Sequence, residues 1–246
     1  DAPGMNYQFA DVMLENKMFG DAAREYERTA YDYPAHEKSA AAGYAAVYAH
    51  REAVKIDTPA TRDTVKREII RSSLKFADTF PMHEKAAVVL GAAADDLYEM
   101  KDYERTIVTA HRLIDQFPKA EQDVRRAAWL VVAHSSFALE KFEDAEKGYV
   151  TVIQLTADTD KTRESVIDNL AASIYKQGEQ ARKREDYKVA ADHFLRIATA
   201  APASKIRPTA EYDAATALLQ LKDWGRAVEI LEAFRKDYPA HELQPE

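Results

Sequence analysis

The chain has 246 residues, of which 46% are hydrophobic and 31% charged, a composition typical of a globular protein. Only 7 residues are Gly and 9 are Pro, which disfavours a turn-rich β-sandwich. Lys and Arg number 34 against 42 Asp and Glu, and the resulting net charge of −8 disfavours nucleic acid as a partner. The absence of Cys from the sequence excludes disulfides, thiolate zinc sites and cysteine nucleophiles.

The longest run made only of apolar residues and Gly is residues 40–49. It is far shorter than the roughly 18 residues that a helix needs to cross a bilayer. The sequence therefore predicts no membrane insertion.

A short pattern recurs along the chain, an aromatic residue followed three positions later by Ala or Thr. The five pairs are Phe19 with Ala22, Tyr103 with Thr106, Phe142 with Ala145, Tyr187 with Ala190, and Trp224 with Ala227. Four of the copies place a Pro twelve residues beyond the small residue, namely Pro34, Pro118, Pro202 and Pro239. Proline lacks an amide hydrogen and disfavours helix in the residue before it, so each of these positions predicts the end of a helix.

The apolar residues inside each repeat follow a helical period. In the third repeat they recur every three or four positions on both sides of the short turn Met100-Lys101-Asp102. The pattern predicts six helical hairpins, at about residues 6–33, 37–80, 83–117, 121–155, 160–201 and 205–238. The second hairpin departs from the pattern, because it lacks the aromatic residue in its turn and carries a longer connection at residues 56–60.

These repeats resemble the tetratricopeptide repeat, whose pattern is Trp-x2-Leu-Gly-x2-Tyr, then Ala-x3-Phe, then Pro. The matching residues of the second helices are Ala22, Tyr26 and Pro34; Ala145 and Tyr149; Ala190, Phe194 and Pro202; and Ala227, Leu231 and Pro239. In the first helices, Trp129 fills the Trp position and Gly178 the Gly position. The resemblance implies an all-α fold, a right-handed α-α superhelical solenoid of about six hairpins, with residues 1–246 as a single repeat array.

The joints between the repeats carry a second resemblance. Several read Pro, a variable residue, then His or a small residue, as in Pro34-Ala35-His36 and Pro81-Met82-His83. This style of repeat is similar to that of bacterial envelope proteins, the outer-membrane β-barrel assembly lipoproteins and the Tol-Pal coordinators. The resemblance implies a periplasmic or outer-membrane-associated protein, with a cytoplasmic location as the alternative.

The residue types that carry catalysis or bind metals do not converge in the sequence. His36, His83 and His241 occupy the same position of different joints, each followed by Glu, which favours a role at the start of the next helix. The other four His lack a ligand spacing such as His-x3-His, and the sequence contains no phosphate-binding loop and no nucleophile elbow. We therefore predict no enzyme activity, no catalytic residue, no metal site and no cofactor.

The remaining candidates are side chains on the predicted first helices. In tetratricopeptide proteins the outward faces of these helices line a concave groove, and tyrosine rings with a polar end suit a protein interface. The resemblance points to a partner-binding groove formed by Tyr7, Tyr44, Tyr48, Asp95, Tyr98, His134, Phe137, Tyr175, Glu179 and Tyr212. The alternative for each ring is packing between neighbouring repeats.

The sequence favours a non-catalytic scaffold that presents this groove to a protein or peptide segment, in bacterial envelope assembly. One alternative is the helical arm of a larger enzyme whose catalytic residues lie outside this chain. Another is a module that binds a glycan or a peptidoglycan fragment. The identity of the partner does not follow from the sequence.

The end of the chain suggests a further expectation. After Pro239 the residues Ala240-His241-Glu242 repeat the joint that follows Pro34, and the last predicted helix carries apolar residues around much of its circumference. Solenoids usually end in a helix with a polar outer face. We therefore expect a fragment of a longer repeat protein, able to self-associate through an uncapped C-terminal repeat.

Overall fold

The structure is a computed structural model, and it describes residues 2–56, 58 and 61–243. The connection predicted at residues 56–60 lies partly outside the described residues, as do the last three residues of the chain. In the described part every regular element is an α-helix. The helices are α1 (Ala2–Glu15), α2 (Phe19–Tyr31), α3 (Ser39–Ile56), α4 (Arg62–Thr79), α5 (Ala86–Glu99), α6 (Tyr103–Gln116), α7 (Gln122–Ala138), α8 (Phe142–Gln154), α9 (Arg163–Lys183), α10 (Tyr187–Ala200), α11 (Arg207–Gln220) and α12 (Trp224–Asp237).

The helices pair in chain order into six hairpins, which confirms the predicted all-α solenoid of helical hairpins. The chain forms two compact units, residues 1–131 and 132–246, with the boundary inside α7. In the first unit α1 to α6 pack consecutively, and in the second unit α8 to α12 do the same. None of the described helices is long and apolar enough to cross a membrane.

The turn between the two helices of a hairpin has a recurrent form. The recurring aromatic residue is the first residue of the second helix in five hairpins, for example at α6 and α10. Two positions before it, the backbone has a positive φ of 58–60°, at Lys17, Lys101, Glu140, Glu185 and Lys222. In three of these turns the intervening Asp is the N-cap, its carboxylate accepting a hydrogen bond from the amide three residues on. Local sequence therefore fixes where these five second helices begin.

The core lies between the helices and consists largely of Ala. In the first unit one cluster joins α1, α2 and α3 through Ala10, Ala22, Ala23, Tyr26, Ala46 and Ala49, all at most 1% exposed. Such small side chains let helix axes approach closely. In the second unit Gly178 plays the same part, because a Cβ placed there would lie 2.5 Å from the ring of Phe194. The Gly position of the repeat, filled by Gly178, is thus a point where two helices approach closely.

Candidate functional site

Most of the predicted groove rings pack against the second helix of their own hairpin. Tyr7 meets Tyr26 edge-on with ring centroids 5.4 Å apart, and Tyr44 lies 6.0 Å from Phe76. The same kind of contact is made by Tyr98 with Tyr103, His134 with Tyr149, Phe137 with Phe142, Tyr175 with Phe194, and Tyr212 with Phe234. These rings therefore bury one side within the hairpin and present the remainder outward.

The first unit carries the most exposed of the predicted residues. Tyr48 on α3 is 48% exposed and makes no ring contact or hydrogen bond within the part of the chain that the structure describes. Tyr44, one turn earlier, is 36% exposed, and Asp95 on α5 is exposed. Val88 on α5, two turns before Asp95, is 51% exposed. We call Tyr44, Tyr48, Val88 and Asp95 the α3–α5 face.

Val88 is a residue that the sequence reasoning missed. An apolar residue in an Ala-rich helix is typical of a core position, so its type gave no sign of exposure. The signal available in the sequence was its spacing of seven residues from Asp95, which places both on one side of α5.

An ion pair holds the two helices of this face together. The Arg51 guanidinium on α3 donates a hydrogen bond to the Asp96 carboxylate on α5 at 2.8 Å. Arg51 lies one turn after Tyr48, and Asp96 is the neighbour of Asp95. Burial raises the pKa of Asp96 and Arg51 opposes the rise. Partial desolvation of the Asp95 carboxyl group and the Asp96 charge raise the pKa of Asp95, although much of its side chain is exposed. The face thus combines aromatic, apolar and acidic groups on a fixed helix pair.

The other two predicted residues of the first unit are half-buried. Tyr7 on α1 has its ring near the Lys38 ammonium, with Nζ 5.8 Å from the ring centroid, and burial raises its pKa. Tyr98 lies on α5, one turn after Asp95, next to the turn into α6. Both rings can add to an interface only through the part that the hairpin leaves uncovered.

In the second unit, His134 and Phe137 on α7 are half-buried and held by α8. His134 Nδ1 lies 2.7 Å from the Tyr149 hydroxyl, with which it forms a hydrogen bond. Burial lowers the pKa of His134, so the neutral ring is favoured. This arrangement orients the imidazole within the hairpin.

Tyr175 and Glu179 lie on α9 and Tyr212 on α11, and Asp213, the neighbour of Tyr212, connects the two helices. The Tyr175 hydroxyl donates a hydrogen bond to the Asp213 carboxylate, which also pairs with Arg182 at 3.3 Å. Glu179 pairs with Lys176 at 2.5 Å and with Arg182 at 3.9 Å. Burial and the bond to Asp213 raise the pKa of Tyr175. The Tyr175 hydroxyl is therefore engaged in joining α9 to α11, whereas Glu179 pairs within α9.

The three joint histidines support the start of the following segment. The Nδ1 atoms of His36, His83 and His241 each accept a hydrogen bond from the backbone amide two residues further on, at 3.1–3.2 Å. Among the residues that the structure describes, no group of three or more His, Asp or Glu is arranged to hold a metal ion.

The sequence profile of the outer membrane lipoprotein family YfiO matches residues 167–245, from within α9 to beyond α12. The last third of the chain is similar to this family. The resemblance to tetratricopeptide repeats noted in the sequence is confirmed. No curated protein sequence matches the chain significantly.

Several solved structures share the helical-hairpin arrangement at low identity. PilF of Pseudomonas aeruginosa is 15% identical, with a TM-score of 0.40, and the match covers 98% of this chain and 93% of that protein. The type IV pilus biogenesis factor PilW is 11% identical, with a TM-score of 0.37 and coverages of 99% and 97%. A kinesin light chain of Podospora anserina with TPR-like repeats is 12% identical, with a TM-score of 0.44 and coverages of 82% and 96%.

Proposed function

We propose that this protein is a non-catalytic scaffold that binds a segment of another protein through the exposed sides of its first helices. The α3–α5 face is the observation that carries the proposal. It presents two tyrosines, a valine and a carboxylate on helices fixed by the Arg51–Asp96 ion pair. Tyrosine supplies a large contact area and a hydrogen-bonding hydroxyl with few rotatable bonds, which is why it is enriched at interface centres.

Within each unit, half-buried residues of the other first helices add to the proposed partner-binding surface: Tyr7 and Tyr98 in the first unit, and His134, Phe137, Tyr175, Glu179 and Tyr212 in the second. Their packing on the second helices gives each ring a fixed orientation before any partner binds. Fixed side chains lose little conformational entropy on binding, which favours affinity. In the proposal these residues are supports and lateral contacts, and the exposed tyrosines of α3 are the anchors.

Selection of a random peptide library displayed on phage against the immobilised protein tests this proposal. The expected result is an enriched peptide whose affinity falls by about 1 to 3 kcal/mol with Tyr48→Ser, the range of an interface anchor. Val108→Ser is the matched control, because Val108 is 69% exposed on α6, a second helix. The control variant should bind the peptide as the parent protein does.

Failure to enrich any peptide, or equal losses from Tyr48→Ser and Val108→Ser, would contradict the proposal. A parallel binding assay with soluble peptidoglycan fragments tests the alternative that the protein binds a glycan. If those fragments bind and Tyr48→Ser abolishes their binding, then the face is a glycan site.

We also propose that the scaffold acts in bacterial envelope assembly, in the periplasm or at the outer membrane. The similarity of residues 167–245 to an outer membrane lipoprotein family supports this location. Fractionation of the source cells with an antibody against this chain tests it. Recovery in the cytoplasmic fraction alone would exclude an envelope role, and would leave peptide binding by the α3–α5 face unaffected.

Self-association through the last hairpin remains a proposal of its own. Trp224 and Val228 on α12 are 58% and 51% exposed, one turn apart on the helix. Sedimentation velocity of the parent protein and of Val228→Asp tests whether this pair joins two copies. A concentration-dependent dimer that disappears in the variant is the expected result, and a monomer at all concentrations would refute it.

A further inference from the structure

A cleft in the first unit lies apart from the α3–α5 face and shares none of its residues. It has a volume of about 350 Å³ and runs between one side of α4 and the corner where α5 meets α6. Its floor is apolar, with Ile70 and Leu97 buried and Leu74 and Met100 half-buried. The volume is at the lower end of the range for ligand pockets, enough for a short segment with a large side chain.

Cations line the rim of this cleft. Arg67, Arg71 and Lys75 follow one another at four-residue spacing along α4, and Arg105 faces them from the start of α6. Residues four apart on a helix lie on the same side, so the first three form a column. The column stands out in a chain whose net charge is −8.

The two acids that line the cleft are already neutralised by partners. The Asp78 carboxylate pairs with the Arg112 guanidinium at 2.6 Å, and Asp102 pairs with Arg105 at 3.3 Å. Their charges therefore do not cancel those of the α4 column.

Among the described residues, Arg71 is the member of the column that pairs with carboxylates, and the other two cations do not. Within the described part of the chain Arg67 makes no hydrogen bond and no ion pair. The Lys75 ammonium lies 3.9 Å from the centroid of the Tyr31 ring, a cation–π contact that does not neutralise its charge. Arg71, between them, is held by Glu27 at 2.9 Å. The positive charge available to a ligand is thus at the two ends of the column.

We propose that this cleft binds an acidic peptide segment of a partner protein, with one large apolar side chain in the cleft and a carboxylate on each side of it. The proposal adds a second docking site to the proposed scaffold function. Charge complementarity selects the occupant, because unpaired Arg and Lys at the rim favour carboxylates and the apolar floor favours a side chain such as Phe or Leu.

The distance between Arg67 and Lys75 determines how far apart the two acidic residues of the bound peptide must lie. Eight residues separate Arg67 from Lys75, about 12 Å along the helix axis at roughly 1.5 Å per residue. An extended peptide advances about 3.3 Å per residue, so about four residues cover that distance. The segment therefore has the form acid, any residue, large apolar residue, any residue, acid.

Fluorescence anisotropy with a labelled peptide of sequence GEAFAEG tests the proposal on the full chain. We expect binding that weakens as salt is added, since exposed charge pairs are screened. Replacing both glutamates of the peptide by lysine, or its phenylalanine by serine, should each weaken binding at least tenfold. Arg67→Glu should also weaken binding at least tenfold. Because Arg67 has no partner among the residues that the structure describes, the melting temperature of this variant should match that of the parent.

Arg184→Glu is the control for the protein, since it makes the same charge change in the turn before α10, outside the cleft. The proposal is wrong if GEAFAEG fails to bind, if the lysine peptide binds equally well, or if Arg184→Glu weakens binding as much as Arg67→Glu. If Tyr48→Ser abolishes binding and Arg67→Glu does not, the peptide occupies the α3–α5 face, which supports the scaffold function and refutes the cleft. Binding to phosphatidylglycerol vesicles that depends on Arg67, without peptide binding, would identify a lipid site instead and overturn the proposal.

Discussion

The Glu27 carboxylate on α2 accepts two hydrogen bonds from the Arg71 guanidinium on α4, at 2.9 and 3.0 Å, across 44 positions of sequence. The His50 ring on α3 lies 3.3 Å from the same carboxylate. One carboxylate therefore joins the first two hairpins. Burial by itself raises the pKa of Glu27, but the bonds from His50 and Arg71 and the Arg71 charge outweigh it and lower the pKa to about 2.

This lowered pKa predicts loss of stability in acid. A carboxylate whose pKa is lower in the folded than in the unfolded protein stabilises the fold above its ordinary pKa, and this contribution is lost as the pH falls from about 5 to about 2. The contribution at neutral pH is on the order of 3 kcal/mol. Glu27→Gln should lower the melting temperature at pH 7 and flatten its pH dependence in that window. Glu104→Gln, at an exposed position of α6, is the control that should leave both unchanged.

A second ion pair predicts strong coupling between α8 and α10. The Arg196 guanidinium bonds both oxygens of Glu146, at 2.5 and 2.8 Å, and Gln177 donates to the same carboxylate at 2.6 Å. Removing one partner leaves the other unpaired, so Arg196→Met should cost about 1 to 3 kcal/mol of unfolding free energy. The double variant with Glu146→Gln should recover part of that loss in urea unfolding. If the losses of the two single variants simply add, the pair is not coupled.

Two glycines give opposite predictions for the same substitution. At Gly178 a Cβ would lie 2.5–2.9 Å from three atoms of the fully buried Phe194 ring, so Gly178→Ala should destabilise the second unit by about 1 to 3 kcal/mol. At Gly225 nothing lies within 4 Å of the added atom. Gly225→Ala, inside α12, should stabilise by about 0.4 to 1 kcal/mol. Thermal melts of both variants check the signs, and a stable Gly178→Ala variant would show that the helices can separate there.

The residue with positive φ in each turn is a position where substitution by glycine should stabilise the protein. Glu185 has φ of 60°, and the amides of Glu185 and Asp186 close the end of α9 on Arg182 and Ala181. A side chain in this conformation costs about 1 to 2 kcal/mol, part of which Glu185→Gly should recover. The expected gain is about 0.5 to 1 kcal/mol in thermal or urea unfolding. Lys188→Gly, three positions later inside α10, should instead lose about 1 kcal/mol.

The sequence alone predicted the hairpins and the start of most second helices. These features depend on interactions between residues close in sequence, such as the N-cap of Asp102 on the amide of Arg105 and the helical period of the apolar residues. Gly178 was also assigned to the Gly position of the repeat from the sequence, because that assignment depends only on residue type and spacing. The second hairpin was the hardest to delimit, since its turn has no aromatic residue.

The candidate site was only partly predictable. The sequence placed tyrosines on the first helices. It could not distinguish Tyr175, which binds Asp213, from Tyr48, which stays exposed, because both are tyrosines in the middle of a first helix. Only the tertiary structure decided which of them has a partner. The cleft beside α4 and the Glu27–Arg71 bond could not be predicted from the sequence either. They depend on how closely helices separated by some 30 to 45 residues approach one another, and that distance is set by the packing of the Ala-rich core between them.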